Sequence, residues 1–369
     1  MERIRAAVIG CGCISDIYLK NLTGCFSDTV EVVSVCDIIP ERALEKQKKY
    51  SVPKAVFTDE EIMDDPSIEA VLDITPPQEH AKVNLMAIQA GKHVFCEKPL
   101  ACTLEDGLAE VAAAKEKGVL LGGAPDTFMG GGIQTCKKLI EDGWIGTPVA
   151  AQAHMLGHGP ESWHPDPDFF YHFGAGPLFD MGPYYVTALI NLLGPVSTVT
   201  ASAKITFPER TATCKEHYGE TIHVTTPTHA AGILSMEQGA IAMLTVSFDV
   251  WNTYDRQPIT IYGSKGTLRV PDPNTFGGRI SLLRPDSDEW EDIPLLYPHT
   301  ENSRGLGFTD FCRCIRSGKK PYAYCDQTLH VLDVMSAFYR SSEKGTGIAI
   351  EAPYEMRHSL PLNQRRKSS

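Results

Sequence analysis

Long apolar runs are missing from this chain. No window of about 18 consecutive apolar residues occurs, which excludes a membrane-spanning helix of ordinary length. The opening residues, Met1-Glu2-Arg3-Ile4-Arg5, lack the apolar core and small-residue cleavage site of a secretory signal and run straight into a strand. Positive charge is in deficit: 34 Lys and Arg stand against 46 Asp and Glu, for a net charge of −12. An acidic surface disfavours nucleic acid and anionic membranes, so neither is expected as the main partner. Eleven cysteines are present, but without the spacing of a disulfide framework. Cys11/Cys13 and Cys312/Cys314 are not CxxC pairs, and no histidine spacing completes a zinc set. No metal is expected, and the cysteines read as reduced, mostly core residues of a cytoplasmic protein. Internal repeats and low-complexity tracts are absent as well.

What is there is enough chain for two domains: 369 residues, 43% hydrophobic and 22% charged, as in soluble globular proteins. Apolar runs at Ala6–Ile9, Val30–Val35, Ala70–Ile74, Val94–Cys96 and Val119–Leu121 alternate with amphipathic patterns at Ile14–Leu22, Pro40–Tyr50, Glu79–Ala90 and Leu104–Lys117. Strand–helix alternation with short links predicts an α/β fold over residues 1–124, a doubly wound parallel sheet covered on both faces.

The texture changes after Ala124. Helices are expected over Ile133–Asp142 and Tyr184–Leu193, then strands at Thr198–Thr206, His229–Glu237, Ala240–Val250, Ile259–Tyr262, Thr267–Val270 and Ile280–Leu283, with turns at Gly239, at 263–266 and at Gly277-Gly278. Two closing helices, Gly305–Ser317 and Gln327–Ser342, complete a second α+β domain over 125–356 with an open, mostly antiparallel sheet. Residues 357–369 read as a basic, polar tail.

The first chemical signal is "AAVIGCGCISD". It places Gly10-x-Gly12-x-x-Ser15 after a strand and at the start of a helix. Gly10 allows the tight turn, Gly12 lets a pyrophosphate approach the backbone, and a small residue at 15 lets helix and strand pack closely. Cys13 and Ile14 complete the loop, whose helix N-terminus favours an anion. Asp37 ends the second strand, 25 residues after Gly12, where a carboxylate accepts hydrogen bonds from the adenosine ribose. That carboxylate would repel a 2′-phosphate, so the expected cofactor is NAD rather than NADP.

The second signal is "HVFCEKPLACT" (93–103): a buried strand that ends in Glu97-Lys98-Pro99. Ligands of open α/β sheets bind beyond the carboxyl ends of strands, where Lys98 falls, and Pro99 fixes its own φ and stiffens the turn. With "TPPQEH" at 75–80 and "GAGPLFDMGPYY" at 174–185, the order of motifs resembles the Gfo/Idh/MocA family of nicotinamide-dependent oxidoreductases over nearly the whole chain. The resemblance implies a catalytic Lys98 beside the nicotinamide and the reacting hydroxyl, with Glu97 at the cofactor. It implies that Thr75, Pro76 and His80 border the nicotinamide ribose; His80 could instead cap a helix or sit satisfied in packing.

The family pattern Gly-Gly-Gly-x-x-x-Asp-x-Gly-x-His is altered here. Asp180 is kept, but Tyr184 stands where the family has the histidine often assigned as acid/base. A tyrosine titrates near 10 rather than near 6.5, so it needs a nearby cation to act as base at neutral pH. The base is therefore Tyr184 assisted by Lys98, or Lys98 itself, or a histidine from elsewhere: His154, His158, His164 or His299. The segment 157–176 gathers Trp163, His164, Phe169, Phe170 and Tyr171 with Asp166 and Asp168. Aromatic faces that stack on sugar C–H groups, beside hydroxyl-binding Asp and His, suit a polyol or glycoside; the same composition suits a domain or subunit interface. Asp126 and Phe128 follow the last strand of the first domain and are expected to face the substrate cleft, without the arginine or asparagine that the family often has nearby. Asn302 and Arg304 cap a helix, touch a second subunit or reach a ligand.

These features predict an NAD-dependent oxidoreductase that transfers a hydride at a secondary alcohol of a sugar, glycoside or polyol. Glycoside oxidation at C3 is favoured over free inositol. Homo-oligomers are expected through the C-terminal sheet. Three rivals are an NAD-recycling glycosidase or epimerase without net redox, a non-catalytic NAD or sugar sensor, and a reductase of the biliverdin type. Intact Lys98 and Asp180 argue against the sensor, and the polar 157–172 segment against the last.

Overall fold

The computed structural model describes residues 2–251 and 257–362. Two compact units result: residues up to Asp126 with Ser303–Leu332, and Thr127–Asn302 with the described residues from Asp333 on.

In the first unit, strands β1 (Ile4–Ile9), β2 (Val30–Cys36), β3 (Lys54–Val56), β4 (Ala70–Asp73), β5 (His93–Cys96) and β6 (Leu121–Gly123) form one sheet in the order β3-β2-β1-β4-β5-β6, and every pair is parallel. Helices α1 (Ser15–Thr23), α2 (Pro40–Tyr50), α3 (Asp59–Met63), α4 (Pro77–Gln89) and α5 (Leu104–Lys117) connect them. The order reverses between β1 and β4, which makes a switch point at the carboxyl ends of these strands. The near-continuous burial of β1, β2, β4 and β5 is the pattern of a sheet covered on both faces. Local signals set the helix ends: Pro40 opens α2, and the Thr103 hydroxyl accepts the Asp106 N–H at the start of α5.

The second unit begins with α6 (Gly131–Glu141) and β7 (Pro148–Leu156), followed by α7 (Gly176–Asp180) and α8 (Gly182–Leu193). Strands β8 (Val196–Lys204), β9 (Glu209–Thr211), β10 (Thr221–His223), β11 (His229–Met236), β12 (Ile241–Ser247), β13 (Ile259–Gly263), β14 (Gly266–Val270), β15 (Ile280–Leu283) and β16 (Glu291–Ile293) follow. Helices α9 (Leu306–Ser317) and α10 (Cys325–Lys344) and strand β17 (Ile348–Ala349) close the described chain. Nine strands form a sheet in the order β16-β15-β14-β13-β7-β12-β11-β8-β17, antiparallel except for β7 with β12; β9 and β10 make a separate hairpin. Strand β12 alternates: Ala242, Leu244 and Val246 are buried, while Ile241 and Met243 are exposed. Helix α8 is buried along its whole length and packs on this sheet.

The expected α/β plus α+β architecture is present, with differences in detail. The segment 303–332, expected in the second domain, belongs to the first unit. Its main chain joins the edge of that sheet through the Gly122–Tyr324 bridge and the Gly123 N–H, which donates to the Ala323 carbonyl at 3.2 Å. The Phe95 ring meets Phe308 and Phe311 of α9 at 5.8 and 5.7 Å. Strand β7 was not anticipated, because "PVAAQAHML" is rich in alanine and poor in β-branched residues. Of the expected tail, the residues beyond 362 lie outside the described part.

Candidate active site

The carboxyl ends of the adjacent strands β2, β1, β4 and β5 gather most of the expected cofactor residues in the first unit. Gly10, just past β1, has a φ of 100°, and a Cβ there would stand 2.6 Å from the Ile74 carbonyl oxygen. No other residue fits that turn without displacing β4. Gly12 is the opposite case: a Cβ there would meet no atom within 4 Å, so the backbone is open to a ligand. Ser15 is buried, and its hydroxyl donates to the Gly12 carbonyl at 2.6 Å, closing the loop onto α1. Cys13 and Ile14 are exposed beside it.

At the end of β2, the Asp37 carboxylate bridges two loops. Its Oδ2 accepts the Cys11 N–H at 2.8 Å, and its Oδ1 accepts the Ile39 N–H at 2.8 Å. Each oxygen keeps a lone pair for a further donor. An open backbone at a helix N-terminus with a fixed carboxylate at the neighbouring strand end fits the pyrophosphate and ribose of NAD.

Strand β4 ends in Asp73, which sequence reasoning missed. The carboxylate is fully buried; its Oδ1 accepts the Thr75 N–H at 2.9 Å and the Thr75 hydroxyl at 2.7 Å. Burial pushes this carboxyl up, and the His80 charge and the Thr75 bonds oppose the rise. The signal was present: Asp73 ends its strand as Asp37 does, one residue ahead of the "TPP" turn. Thr75 stays half-buried and Pro76 exposed.

Strand β5 delivers Glu97 and Lys98. The Glu97 carboxylate is turned inward: Oε1 accepts the Tyr18 hydroxyl at 2.6 Å, and Oε2 accepts the Lys98 N–H at 2.8 Å. This fixes the lysine backbone, and the Lys98–Pro99 peptide is cis. The Lys98 residue is half-buried.

Three residues expected at ligands are buried in protein. His80 is 0% exposed, with Nδ1 2.8 Å from the Pro99 carbonyl oxygen and Nε2 2.8 Å from that of Thr75, so its ring is enclosed by protein and sits satisfied in packing. Asp126 is 1% exposed; its Oδ2 accepts the Gly305 and Gly307 N–H groups, each at 2.9 Å, at the start of α9. Burial raises its carboxyl to about 6 despite those bonds. Phe128 is buried in a short 3-10 turn of the second unit. Asp126 and Phe128 follow the end of β6, and a position just past a strand end can lead inward. The set Asp73, His80 and Cys96 lies close enough to hold an ion. Both His80 nitrogens face carbonyl oxygens, however, so the ring offers a metal no lone pair.

In the second unit, Asp180 is the last residue of α7 and Tyr184 lies in the first turn of α8. Asp180 is half-buried and Tyr184 buried. Gly176, with a φ of 76°, starts α7 where a Cβ would press on the Pro227 carbonyl oxygen at 2.9 Å, which accounts for a glycine in the "GAGP" stretch. Helix α7 packs against the 3-10 turn Asp168–Tyr171. That turn carries another correction. Tyr171 is 0% exposed, within a cluster of Phe170, Ala212, Cys214, Ile222, Val224 and Phe248, so its place is in the core.

Phe170 is buried with Tyr171, while Trp163 stays accessible. Trp163 is 68% exposed and meets His164 and Phe170 edge-on at 5.5 and 6.2 Å. His158 stacks on the exposed Trp251 at 3.7 Å. A buried ion cluster missed by the sequence reading holds this segment. Arg210 pairs with Glu161 through Nε, donates from Nη1 to Asp249 at 2.7 Å, and donates from Nη2 to the His158 carbonyl at 2.7 Å.

Residues 4–123 match the family described as "Oxidoreductase family, NAD-binding Rossmann fold", and residues 133–269 match "GFO/IDH/MocA C-terminal domain". Inositol 2-dehydrogenase 3 of Saccharopolyspora erythraea is 30% identical over 278 residues, 74% of this chain and 75% of that protein. 1,5-Anhydro-D-fructose reductase of Ensifer adhaerens is 40% identical over 122 residues, 33% of this chain and only 37% of that protein. Among solved structures, levoglucosan dehydrogenase in complex with NADH and levoglucosan aligns over 95% of this chain and 100% of its own, with a TM-score of 0.79 and 21% identity.

Proposed function

The chain belongs to the Gfo/Idh/MocA family of oxidoreductases and carries an NAD-binding Rossmann domain, and from that premise we propose that it transfers a hydride between NAD and a secondary alcohol of a cyclic sugar, glycoside or polyol. The observation that carries this reading is the row of strand ends in the first unit. Asp37 and the open Gly12 loop suit the dinucleotide, and Glu97 fixes the backbone of Lys98 in the same row.

Bound there, the nicotinamide supplies the hydride acceptor or donor. The protein supplies position and charge. The Lys98 ammonium donates to the reacting oxygen and stabilises alkoxide character as the C–H bond weakens. By family resemblance Asp180 and Tyr184 are further candidate residues, with Tyr184 the candidate proton carrier in place of the family histidine. Trp163 provides an exposed face for a sugar ring beside the half-buried His164 and His158, and this aromatic surface supports a glycoside or anhydrosugar over a free polyol. The relatives named above, for inositol, anhydrofructose and levoglucosan, point to the same substrate class.

Two accompanying properties belong to the proposal. The exposed face of the nine-stranded sheet presents Ile233, Ile241 and Met243, with Ile233 directly opposite Met243, and serves as the contact between copies of the chain. All eleven cysteines are unpaired, as a reducing compartment such as the cytoplasm requires. No helix among the described residues is long and apolar enough to cross a membrane.

The test is absorbance at 340 nm with NAD or NADP and a panel of glycosides, anhydrosugars, inositols and linear polyols. A rise with NAD and one cyclic class supports the reading and names the substrate. Sugar conversion without added NAD and without net reduced cofactor would replace it with internal recycling.

A further inference from the structure

The His80 ring spans two chain segments. Helix α4 carries it into the interior below the strand ends, where nothing of the side chain reaches solvent. Its two nitrogens lie at 2.8 Å from the carbonyl oxygens of Thr75 and Pro99. A backbone carbonyl has only lone pairs to offer, so each contact is a hydrogen bond only if the ring nitrogen carries a proton. A neutral imidazole would donate to one carbonyl and set its own lone pair against the other at hydrogen-bond distance. Both contacts are satisfied only by the imidazolium.

A buried imidazolium needs a counter-charge. The Asp73 carboxylate provides it. A carboxylate oxygen of Asp73, a ring nitrogen of His80 and the Cys96 sulfur all lie within 4.8 Å of one another. Asp73 Oδ1 takes two donors from Thr75, while Oδ2 is buried and has no hydrogen-bond partner, which leaves it to face charge. Burial raises this carboxyl, and the His80 charge and the two Thr75 donors act against that rise in favour of the ionised form. The other ionisable groups around the pair are Cys96, Glu110 with its Asn84 partner, and Asp59, and none of these supplies a cation.

The two carbonyls belong to the two turns of interest. Thr75 is the first residue of the "TPP" turn after β4, and Pro99 follows Lys98 directly after β5. We propose that His80 is a positioning residue: as a buried imidazolium paired with Asp73, it clamps the Thr75 and Pro99 carbonyls and sets the offset of the Lys98 turn from the turn after β4. The value of this for catalysis rests on the reading of Lys98 given above; the clamp itself does not.

The experiment therefore has an arm that needs no turnover. In full-length protein labelled with 15N-histidine, the His80 signals are assigned by their loss in His80→Gln. The clamp requires two proton-bearing ring nitrogens at neutral pH; one proton-bearing and one bare nitrogen overturns the imidazolium. Backbone hydrogen exchange over residues 97–101 should accelerate about tenfold in His80→Gln, whose single amide nitrogen cannot reach both carbonyls, and unchanged exchange overturns the clamp. Asp73→Asn is the second variant should His80→Gln fail to fold; there the ring should lose one proton, and retention of both overturns the pairing. For turnover, His80→Gln should lower kcat roughly 10- to 100-fold while NADH affinity shifts less than kcat. Equal kcat overturns the positioning role. If the wild type turns over no sugar, the fault lies with the proposed function, and the labelling and exchange arms still decide the clamp.

Discussion

The loops at the strand ends of the first unit and the aromatic segment 157–251 of the second were both expected to hold ligands, and they are built differently. In the first, each loop is braced by a buried carboxylate on main-chain N–H groups: Asp37 on Cys11 and Ile39, Asp73 on Thr75, Glu97 on Lys98. A parallel strand leaves its sheet at a defined point, so the residues just past it fall into one row. In the second, aromatic side chains share the work of core and surface. Tyr171 fills the small cluster around the β9–β10 hairpin, while Trp163, eight residues earlier, is exposed. Topology specifies the destination of a side chain in the first region, and packing specifies it in the second.

Substitutions that exchange these roles test the contrast. The largest effect on stability is expected at Tyr171→Ala, which empties a fully enclosed site and should cost about 3–5 kcal/mol, measured by denaturant unfolding. Trp163→Ala should leave stability within about 0.5 kcal/mol and raise KM for the sugar instead. Equal stability losses at the two positions would show that the segment packs as one core.

Asp37→Ser removes a charged acceptor. Affinity for NAD should fall about 10- to 100-fold and discrimination against NADP should weaken, as read by titration with both nucleotides. Unchanged affinity would mean that Asp37 only ties its own loop together.

Support of the strand ends by buried acids has a pH signature. Glu110 is buried, accepts the Asn84 amide at 2.8 Å, and is pushed up to about 8 by that burial. The folded chain thus keeps this proton to about pH 8, whereas the unfolded chain releases it near 4.5. The group's contribution to stability is full below about 4.5 and is lost as pH rises toward 8. Glu110→Gln should match the wild type at pH 4 and exceed it at pH 8 by on the order of 4 kcal/mol. A difference independent of pH would contradict this. The smallest effect on monomer stability is expected at Met243→Asp on the open sheet face, within about 0.5 kcal/mol. The same change should lower the assembly state seen by analytical ultracentrifugation.

The contrast also explains what was legible in the sequence. The glycine loop, Asp37 and the Glu97-Lys98-Pro99 turn were legible because strand, turn and helix each have their own period and punctuation, and their spacing fixes the site. Asp126 and Phe128 follow a strand end and His80 lies on α4, yet all three are buried; only the return of residues 303–332 onto β6 reveals that Asp126 caps a helix distant in the chain. Arg210 and its partners Glu161 and Asp249 were invisible for the same reason: 49 and 39 residues separate each from the arginine, and no local pattern joins them.

The most direct test of hydride transfer assisted by Lys98 is a comparison of the wild type with Lys98→Ala in single turnover at 340 nm, with NADH affinity measured on the same samples. Loss of roughly 10²- to 10³-fold in the rate with NADH affinity preserved is the predicted result. A rate unchanged by the substitution, in a protein that turns over a sugar, would contradict the role given to Lys98.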